Sequence, residues 1–526
     1  MALSPSDPAS VASPGPGSAR AAGKVWLVGA GPGDPGLISV RGLEVLRDAD
    51  VVLFDALAHP ALRAVCRAEA ELRDVGKRFG QPSSAQLAIN AELIALARAG
   101  KCVVRLKGGD PLLFARGAEE ALALVAAGIE FEIVPAVSSP VGSATYAGIP
   151  LTHRELSSSV TFITGSDRAG TPWSPESWKK LATATDTICI LMGMRRIDAI
   201  AAAIIEGGRS PGTPTAVIQW GARPEQRAVV GTLATIAELA REKGLSNPAV
   251  IVVGEVVALR EKLAWFEKKP LFSKRVLVPR PTGQALRTAK AIRDRGGEPV
   301  VLPLIEIAPP PDAGALERAV MSVREYDWVL FTSENGVERF FAALHAHGLD
   351  ARAFGASRIG VIGPRTGDAL RRFGLRADVV AEEHVGEGLA RDVLKAGVPR
   401  RVLLARALAG RDALPNTLRD AGATVDIVPA YETRPAGGAT EALTELLATA
   451  AVDAVLLTSS STAEALVERL GARARELLSG VTLASIGPVT TRTAEALGLR
   501  VDVRAEAYTV DGLLDALERH YRGLRP

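Results

Sequence analysis

From Lys24 onward, short apolar runs alternate with stretches rich in Ala, Leu and Arg. VWLVGA, DVVLF, VVRLKG, FEIVPA and VTFITG are such runs, each bounded by Gly, Pro or a polar residue. Runs of this length, rich in β-branched side chains, predict strands buried in a sheet. The stretches between them predict helices, so the chain is built of α/β units. The alternation closes at PAVIVVGEVVALR, Pro248 to Arg260, and the charged segment EKLAWFEKKPLFSK follows before a new strand opens at RVLVPR. We therefore expect a domain over 24–260, a linker over 261–273 and a second domain over 274–526.

The second domain carries an internal repeat. RVLVPR at Arg275 recurs as RVLLAR at Arg401, 126 residues on, and DWVLFTSENG at Asp327 recurs as DAVLLTSSST at Asp453 at the same offset. IGPRT near Gly363 returns as IGPVT near Gly487, 124 residues on. Two copies are too few for a solenoid, so they predict paired lobes with a cleft between them, across which facing copies of a loop converge.

Composition narrows the class. A chain of 526 residues exceeds what one hydrophobic core organises, since domains usually run ~100–200 residues. It is 47% hydrophobic, with a formal net charge of only +3, so whole-chain charge gives no case for nucleic-acid binding. Three scattered cysteines, Cys66, Cys102 and Cys189, have neither disulfide-framework nor zinc-ligand spacing, which points to a reducing cytoplasm. Residues 1–23, rich in Ser, Pro, Ala and Gly, predict a disordered tail rather than a signal peptide. No stretch reaches the ~18 apolar residues of a membrane span.

The first candidate chemistry is GAGPGDP, Gly29 to Pro35, after the strand VWLV. It is not a dinucleotide fingerprint: Asp34 and Pro35 stand where the third Gly and helix start are needed, and Asp34 would repel a pyrophosphate. With VGKRFGQPSSAQ, VVRLKGGDPLLFARGAEE, YAGIPLTHR, VTFITG and MGM in order between Lys24 and Arg260, this half resembles the uroporphyrinogen-III C-methyltransferases of the tetrapyrrole methylase family.

That resemblance implies a two-subdomain α/β fold and S-adenosylmethionine as methyl donor. Residue by residue, it implies a donor site of Pro32, Gly108, Gly109, Asp110, Leu113, Ser138, Ser139, Met192 and Gly221. Glycines let backbone approach a ligand, an Asp accepts from hydroxyls, and a Met packs on adenine or a sulfonium methyl. Asp55 and Lys77 match the family's proposed proton acceptor and proton donor. A methylated pyrrole carbon must lose a proton, which a partly desolvated Asp at a strand end can take. The substrate is an octacarboxylate, so Arg78, Arg116 and Arg154 are expected to bind it, with Arg105, Lys107, His153, Arg195 and Arg196 as further cations beside the motifs. Ala136 and Leu191 depart from the Gly and Tyr usual in the family, which bears on fine donor geometry.

The second domain, through VLVPRP, PLIEI, WVLFTSENGV, VIGPRTGDAL, YET, LLTSSST and IGPVTTRTAEALGL, resembles uroporphyrinogen-III synthases. The resemblance implies a bilobed α/β fold, with one lobe from 274–308 plus 435–526 and the other from 309–434, and no metal or organic cofactor. Its substrate is hydroxymethylbilane, closed to uroporphyrinogen III with ring D inverted. Tyr431 matches the tyrosine thought to assist loss of the hydroxyl. Thr332, Ser333, Asn335, Thr458, Ser459, Ser461, Thr366 and Thr490 are candidates to hold carboxylates, although Ser and Thr also serve as helix caps at such positions.

Together the two resemblances imply a bifunctional enzyme that makes uroporphyrinogen III and methylates it at C2 and C7 to precorrin-2. Its partners would be small-molecule tetrapyrroles, with no nucleic acid or membrane, and a homodimer would form through the methyltransferase half. The rival is a methylase of another tetrapyrrole intermediate carrying a non-catalytic tetrapyrrole-binding module.

Overall fold

The computed structural model describes residues 23–67, 69–76, 84–165, 173–383 and 385–523. The chain divides into two compact units, one reaching Ser273 and including Arg295–Glu298, the other made of Lys274–Asp294 and Pro299 onward. The tail expected over 1–23 lies outside the described residues apart from Gly23.

In the first unit, β1 (Lys24–Gly29), β2 (Val51–Phe54), β3 (Glu71–Asp74), β4 (Cys102–Lys107) and β5 (Phe131–Val134) form a sheet in the order β3-β2-β4-β1-β5. Every pair is parallel. Alternate side chains feed two apolar clusters, one around Leu46 and the other around Leu93, so both faces are covered and the strands are continuous apolar runs. A second sheet holds β6 (Val160–Thr164), β7 (Thr187–Leu191), β8 (Pro214–Gln219), β9 (Arg227–Thr232) and β10 (Ala249–Val253), in the order β6-β7-β10-β8-β9. Only β6 and β7 run parallel in it. Two subdomains result, as α/β patterning predicts.

The segment 261–273, separated as a linker on its charge and proline, is folded onto the first unit. Phe266 is 4% exposed and Leu271 fully buried. The Phe266 ring lies 4.8 Å from Tyr146, Gln226 Nε2 donates to Glu267 at 2.9 Å, and Trp265 Nε1 donates to the Thr145 carbonyl at 3.1 Å. The aromatic residues spaced among the charges supply the apolar face that a linker lacks.

In the second unit the strands are β11 (Arg275–Val278), β12 (Glu298–Val301), β13 (Ile305–Ala308), β14 (Trp328–Phe331), β15 (Arg358–Val361), β16 (Val379–Val380), β17 (Arg401–Ala407), β18 (Thr424–Pro435), β19 (Ala454–Leu457), β20 (Thr482–Ser485) and β21 (Val503–Arg504). They form two sheets, β12-β11-β19-β20-β21 and β13-β18-β17-β14-β15-β16. The repeated motifs exchange partners. RVLVPR strand β11 pairs with β19, from the second copy, while RVLLAR strand β17 pairs with β14, from the first. Each lobe is thus half of one copy and half of the other.

The crossing lies slightly earlier in the chain than the expected boundary. β13, assigned to the first lobe by the 274–308 limit, pairs antiparallel with the end of β18, Ile305 opposite Pro435 and Ala308 opposite Glu432. The twelve-residue β18 runs past its own lobe, and its far end requires a ladder partner that β13 provides. Apolar packing in the second lobe centres on Phe331, Phe340, Phe341 and Phe354, with Phe341 stacked on Phe373 at 4.3 Å.

Among the described residues no helix is long and apolar enough to cross a membrane. We expect Phe266→Ala to destabilise the first unit by about 3 kcal/mol, read as a lower denaturation midpoint by fluorescence. A loose linker would give no shift.

Candidate active sites

The first unit gathers backbone around one short helix, Ser139–Tyr146. Gly31 and Gly109, both at positive φ (79° and 70°), bridge the turns after β1 and β4, Gly109 N donating to Gly31 O at 2.8 Å. A Cβ on Gly142 would lie 2.3 Å from Pro32 Cγ, one on Gly221 would lie 2.2 Å from Ser143 Oγ, and one on Gly33 would lie 2.8 Å from Gly221 O. One on Gly109 would stand 3.4 Å from Ser139 N. Pro32, Gly109, Ser139 and Gly221 therefore converge, although they span both subdomains. Gly108 faces Leu57, whose Cβ would be 2.8 Å from an added Cβ.

Asp110 stitches this cradle together. Its two oxygens accept from Leu112 N at 2.9 Å and Ala136 N at 3.1 Å, and each retains capacity for a further bond. Ser138 holds the N-cap position but makes no side-chain capping bond, which leaves its hydroxyl available. Leu113 is half-buried, and Met192, at the end of β7, is 59% exposed. Five non-glycine residues on the loops after β4, β7 and β8 have positive φ: Phe114, Arg116, Met192, Trp220 and Ala222. Each such conformation costs roughly 1 kcal/mol, and they collect where loops are held for a ligand.

Beside the cradle is a buried ion network. Glu120, wholly buried, accepts from Lys107 Nζ at 3.0 Å, Arg105 Nε at 3.2 Å and Gln86 Nε2 at 3.0 Å. Arg105 also donates through Nη2 to Asp55, the carboxylate at the end of β2. Burial, and then repulsion from Arg105, pushes the Lys107 ammonium below its usual range. Burial works to lower Arg105 too, but Asp55 and Glu120 outweigh it and hold the guanidinium above its usual value. Arg105 and Lys107, two of the further cations beside the motifs, are therefore interior groups committed to carboxylates of this chain.

The remaining cations differ in availability. Arg116 forks onto Glu119 at 2.8 and 2.6 Å, an exposed pair, and Arg154 is exposed. His153 Nδ1 accepts from Glu155 N at 3.3 Å, Arg195 is exposed, and Arg196 has a buried Nη1 without a hydrogen-bond partner. Lys77 and Arg78 lie outside the described residues.

In the second unit, Tyr431 is 7% exposed and shares a 3.0 Å hydrogen bond between its hydroxyl and Ser333 Oγ. Ser333 also caps the helix Glu334–Ala346, accepting from Gly336 N at 3.1 Å. In the other lobe Ser459 caps Ser460–Leu470 and bonds Ser461 and Thr462 at 2.9 and 2.8 Å. Thr332 and Thr458 are half-buried at the ends of β14 and β19. Thr366 and Thr490 are buried on the inner faces of helices Pro364–Arg371 and Pro488–Ala496. Capping and packing thus occupy most of the hydroxyls expected to face a ligand.

A cleft of about 1120 Å³ separates the lobes. Its walls include Arg287 on one lobe and Glu334, Asn335, Glu338, Arg339 and Arg372 on the other. Of the expected hydroxyl and amide groups, Asn335 lines it. Glu334 Oε2 meets Arg287 at 3.2 Å and Arg372 at 3.4 Å, and Arg372 also meets Glu338 at 2.9 Å.

The profile of the family Tetrapyrrole (Corrin/Porphyrin) Methylases matches residues 24–237, and that of Uroporphyrinogen-III synthase HemD matches residues 287–515. The porphyrin biosynthesis protein HemD of Ruminiclostridium josui is 38% identical over 497 residues, 94% of this chain and 97% of that protein. The chain belongs to this family. It is a bifunctional enzyme of tetrapyrrole biosynthesis that joins a tetrapyrrole methylase to a uroporphyrinogen-III synthase. The siroheme synthase of Pseudomonas fluorescens (strain Pf0-1) is 48% identical over 245 residues, 47% of this chain, and the chain spans 52% of that protein's length. Among solved structures, the uroporphyrin-III-C-methyltransferase from Thermus thermophilus is 42% identical and covers 47% of this chain and 98% of its own, with a TM-score of 0.39.

In the methylase half, motif order located the cradle, but the role of Glu120 was missed. GAEE reads as a solvated helix start, and only the placing of Arg105 and Lys107 within an otherwise apolar, buried strand would have signalled a buried counter-charge. In the synthase half, the cleft arginines were missed because they sit in no motif of the resemblance. Glu120→Ala should destabilise the methylase half by about 3 kcal/mol in urea denaturation, because it strands two buried cations. Glu119→Ala, which removes an exposed partner of Arg116, should change stability by less than about 1 kcal/mol.

Proposed function

We propose that the synthase half closes hydroxymethylbilane to uroporphyrinogen III with inversion of ring D, and that the methylase half methylates this product at C2 and C7 to give precorrin-2. The observation that carries the reading is the joining of the two families in one chain, since the product of one reaction is the substrate of the other. A cytoplasmic setting and a homodimer through the methylase half belong to the same reading.

The methyl donor would be S-adenosylmethionine, which when bound supplies a methyl group to a ring carbon. The residues present fit such a ligand. Backbone at Gly108 and Gly109, the uncapped Ser138 hydroxyl, Asp110 with spare acceptor capacity and the exposed Met192 offer contacts for its hydroxyls, amino acid portion and base. Pro32, Leu113, Ser139 and Gly221 would shape the same pocket. Asp55 would take the ring proton, held toward the site by Arg105, while Lys77 would return a proton and Arg78, Arg116 and Arg154 would bind carboxylates.

In the synthase half, Tyr431 would donate to the departing hydroxyl with Ser333 orienting its phenol. Thr332, Thr366, Ser459 and Thr490 would hold the reactive conformer through their loops. Positioning accounts for most of the acceleration in such a ring closure.

Incubating the purified chain with hydroxymethylbilane and S-adenosylmethionine should yield a dimethylated tetrapyrrole by mass spectrometry. Ring closure without methylation would sink the methylase assignment. Asp55→Asn should slow methylation by about a hundredfold or more while cyclisation persists. Cyclisation unchanged in Tyr431→Phe combined with Thr490→Ala would favour a non-catalytic C-terminal module.

A further inference from the structure

Within the interlobe cleft, one carboxylate of the chain occupies a place built for an anion. Glu334, at the start of its helix, presents Oε2 to two guanidinium groups on opposite lobes, Arg287 at 3.2 Å and Arg372 at 3.4 Å. Arg287 is 72% exposed and Arg372 49%, whereas Glu334 is 17% exposed. Ion pairs this open to water add little to stability, so holding the fold together does not explain them.

Arg372 is shared with a second carboxylate, Glu338 at 2.9 Å, and further arginines stand close by. Arg280, at the end of the RVLVPR strand, is close enough to Arg365 and Arg287 to feel both charges as well as that of Glu334. Burial, and then the Arg365 charge, pushes its guanidinium down to about 10. Cations crowded in this way are relieved by an added anion. The cleft, at about 1120 Å³, has room for a tetrapyrrole-sized ligand rather than a single ion.

We propose that Arg287 and Arg372, backed by Arg280, form a carboxylate subsite of the synthase cleft, which Glu334 fills until a side-chain carboxylate of the polyanionic substrate displaces it. The subsite rests on the reading of this half as a cyclase of hydroxymethylbilane. The incoming carboxylate brings the anion that the crowded guanidinium groups favour, while the displaced Glu334 carboxylate turns out to water. Because Arg287 and Arg372 come from different lobes, a carboxylate held between them also sets the lobe spacing around the substrate. Glu334 acts as an internal competitor, and it lowers apparent affinity by the fraction of time it occupies the subsite.

The test is steady-state cyclisation of hydroxymethylbilane by the full chain. Glu334→Gln should lower KM about threefold to fivefold, since it removes the competitor while keeping the side-chain shape. Arg287→Ala, at an exposed position where folding is not at risk, should raise KM about fivefold or more, with the change in KM rather than kcat. A KM for Glu334→Gln equal to or above that of the unaltered chain, or an Arg287→Ala effect confined to kcat, overturns the subsite. An unaltered chain that does not cyclise hydroxymethylbilane overturns the reading beneath it, and the subsite with it.

Discussion

A parallel strand buried on both faces can present chemistry only where it ends. Its sides are given to hydrogen bonds and its faces to apolar packing, so polar groups meet a ligand at the carboxyl edge, on the turns that follow. That constraint organises both halves of this chain. In the parallel sheet of the methylase half, Asp55 follows β2 and the Gly108–Asp110 turn follows β4; in its mixed sheet, Met192 follows β7 and Gly221 lies just beyond the antiparallel β8. In the synthase half, Ser333 and Glu334 follow β14, Ser459 follows β19, and the Gly-Pro helix starts follow β15 and β20.

Charge is handled in opposite ways in the two halves. Around Glu120 it is sealed inside: two cations and two carboxylates, with Gln86, form a network in which Arg105 connects the interior to Asp55. Removing a member strands its partner in low dielectric, so the network is rigid and holds the Asp55 carboxylate in a fixed direction. Around Glu334 the charges remain wet and exchangeable. The first arrangement suits a group that must keep one orientation through a reaction, and the second suits a surface that must release one anion to accept another.

The internal repeat has a structural consequence that its spacing alone does not reveal. The two copies do not fold as two lobes; they trade halves, β11 with β19 and β17 with β14, and the β13–β18 ladder carries the chain across. Two connections therefore join the lobes. Equivalent loops such as TSEN and TSSS end up at matching places in the two sheets, but Ser333 and Ser459 are engaged as helix caps and with Tyr431 and Ser461 respectively.

Much of this was legible along the chain. Apolar runs such as VVLF and AVIVV name the strands because burial on both faces leaves a local signature, and ordered motifs such as GAGPGDP and KGGDP locate the cradle because close backbone approach demands glycine. Less visible was which charges would be interior. VVRLKG carries Arg105 and Lys107 in a strand, and nothing local tells whether they reach out to substrate or in to Glu120, which lies on the following helix. The segment 261–273 looks like a linker until Tyr146 gives Phe266 a surface to pack on, and Arg287 looks like any solvated helix residue until the lobes bring it to Glu334. Strand and turn identity follow from a residue and its near neighbours. Pairing of charges and burial of isolated aromatics depend on contacts between segments far apart in the chain, and those exist only once the chain has folded.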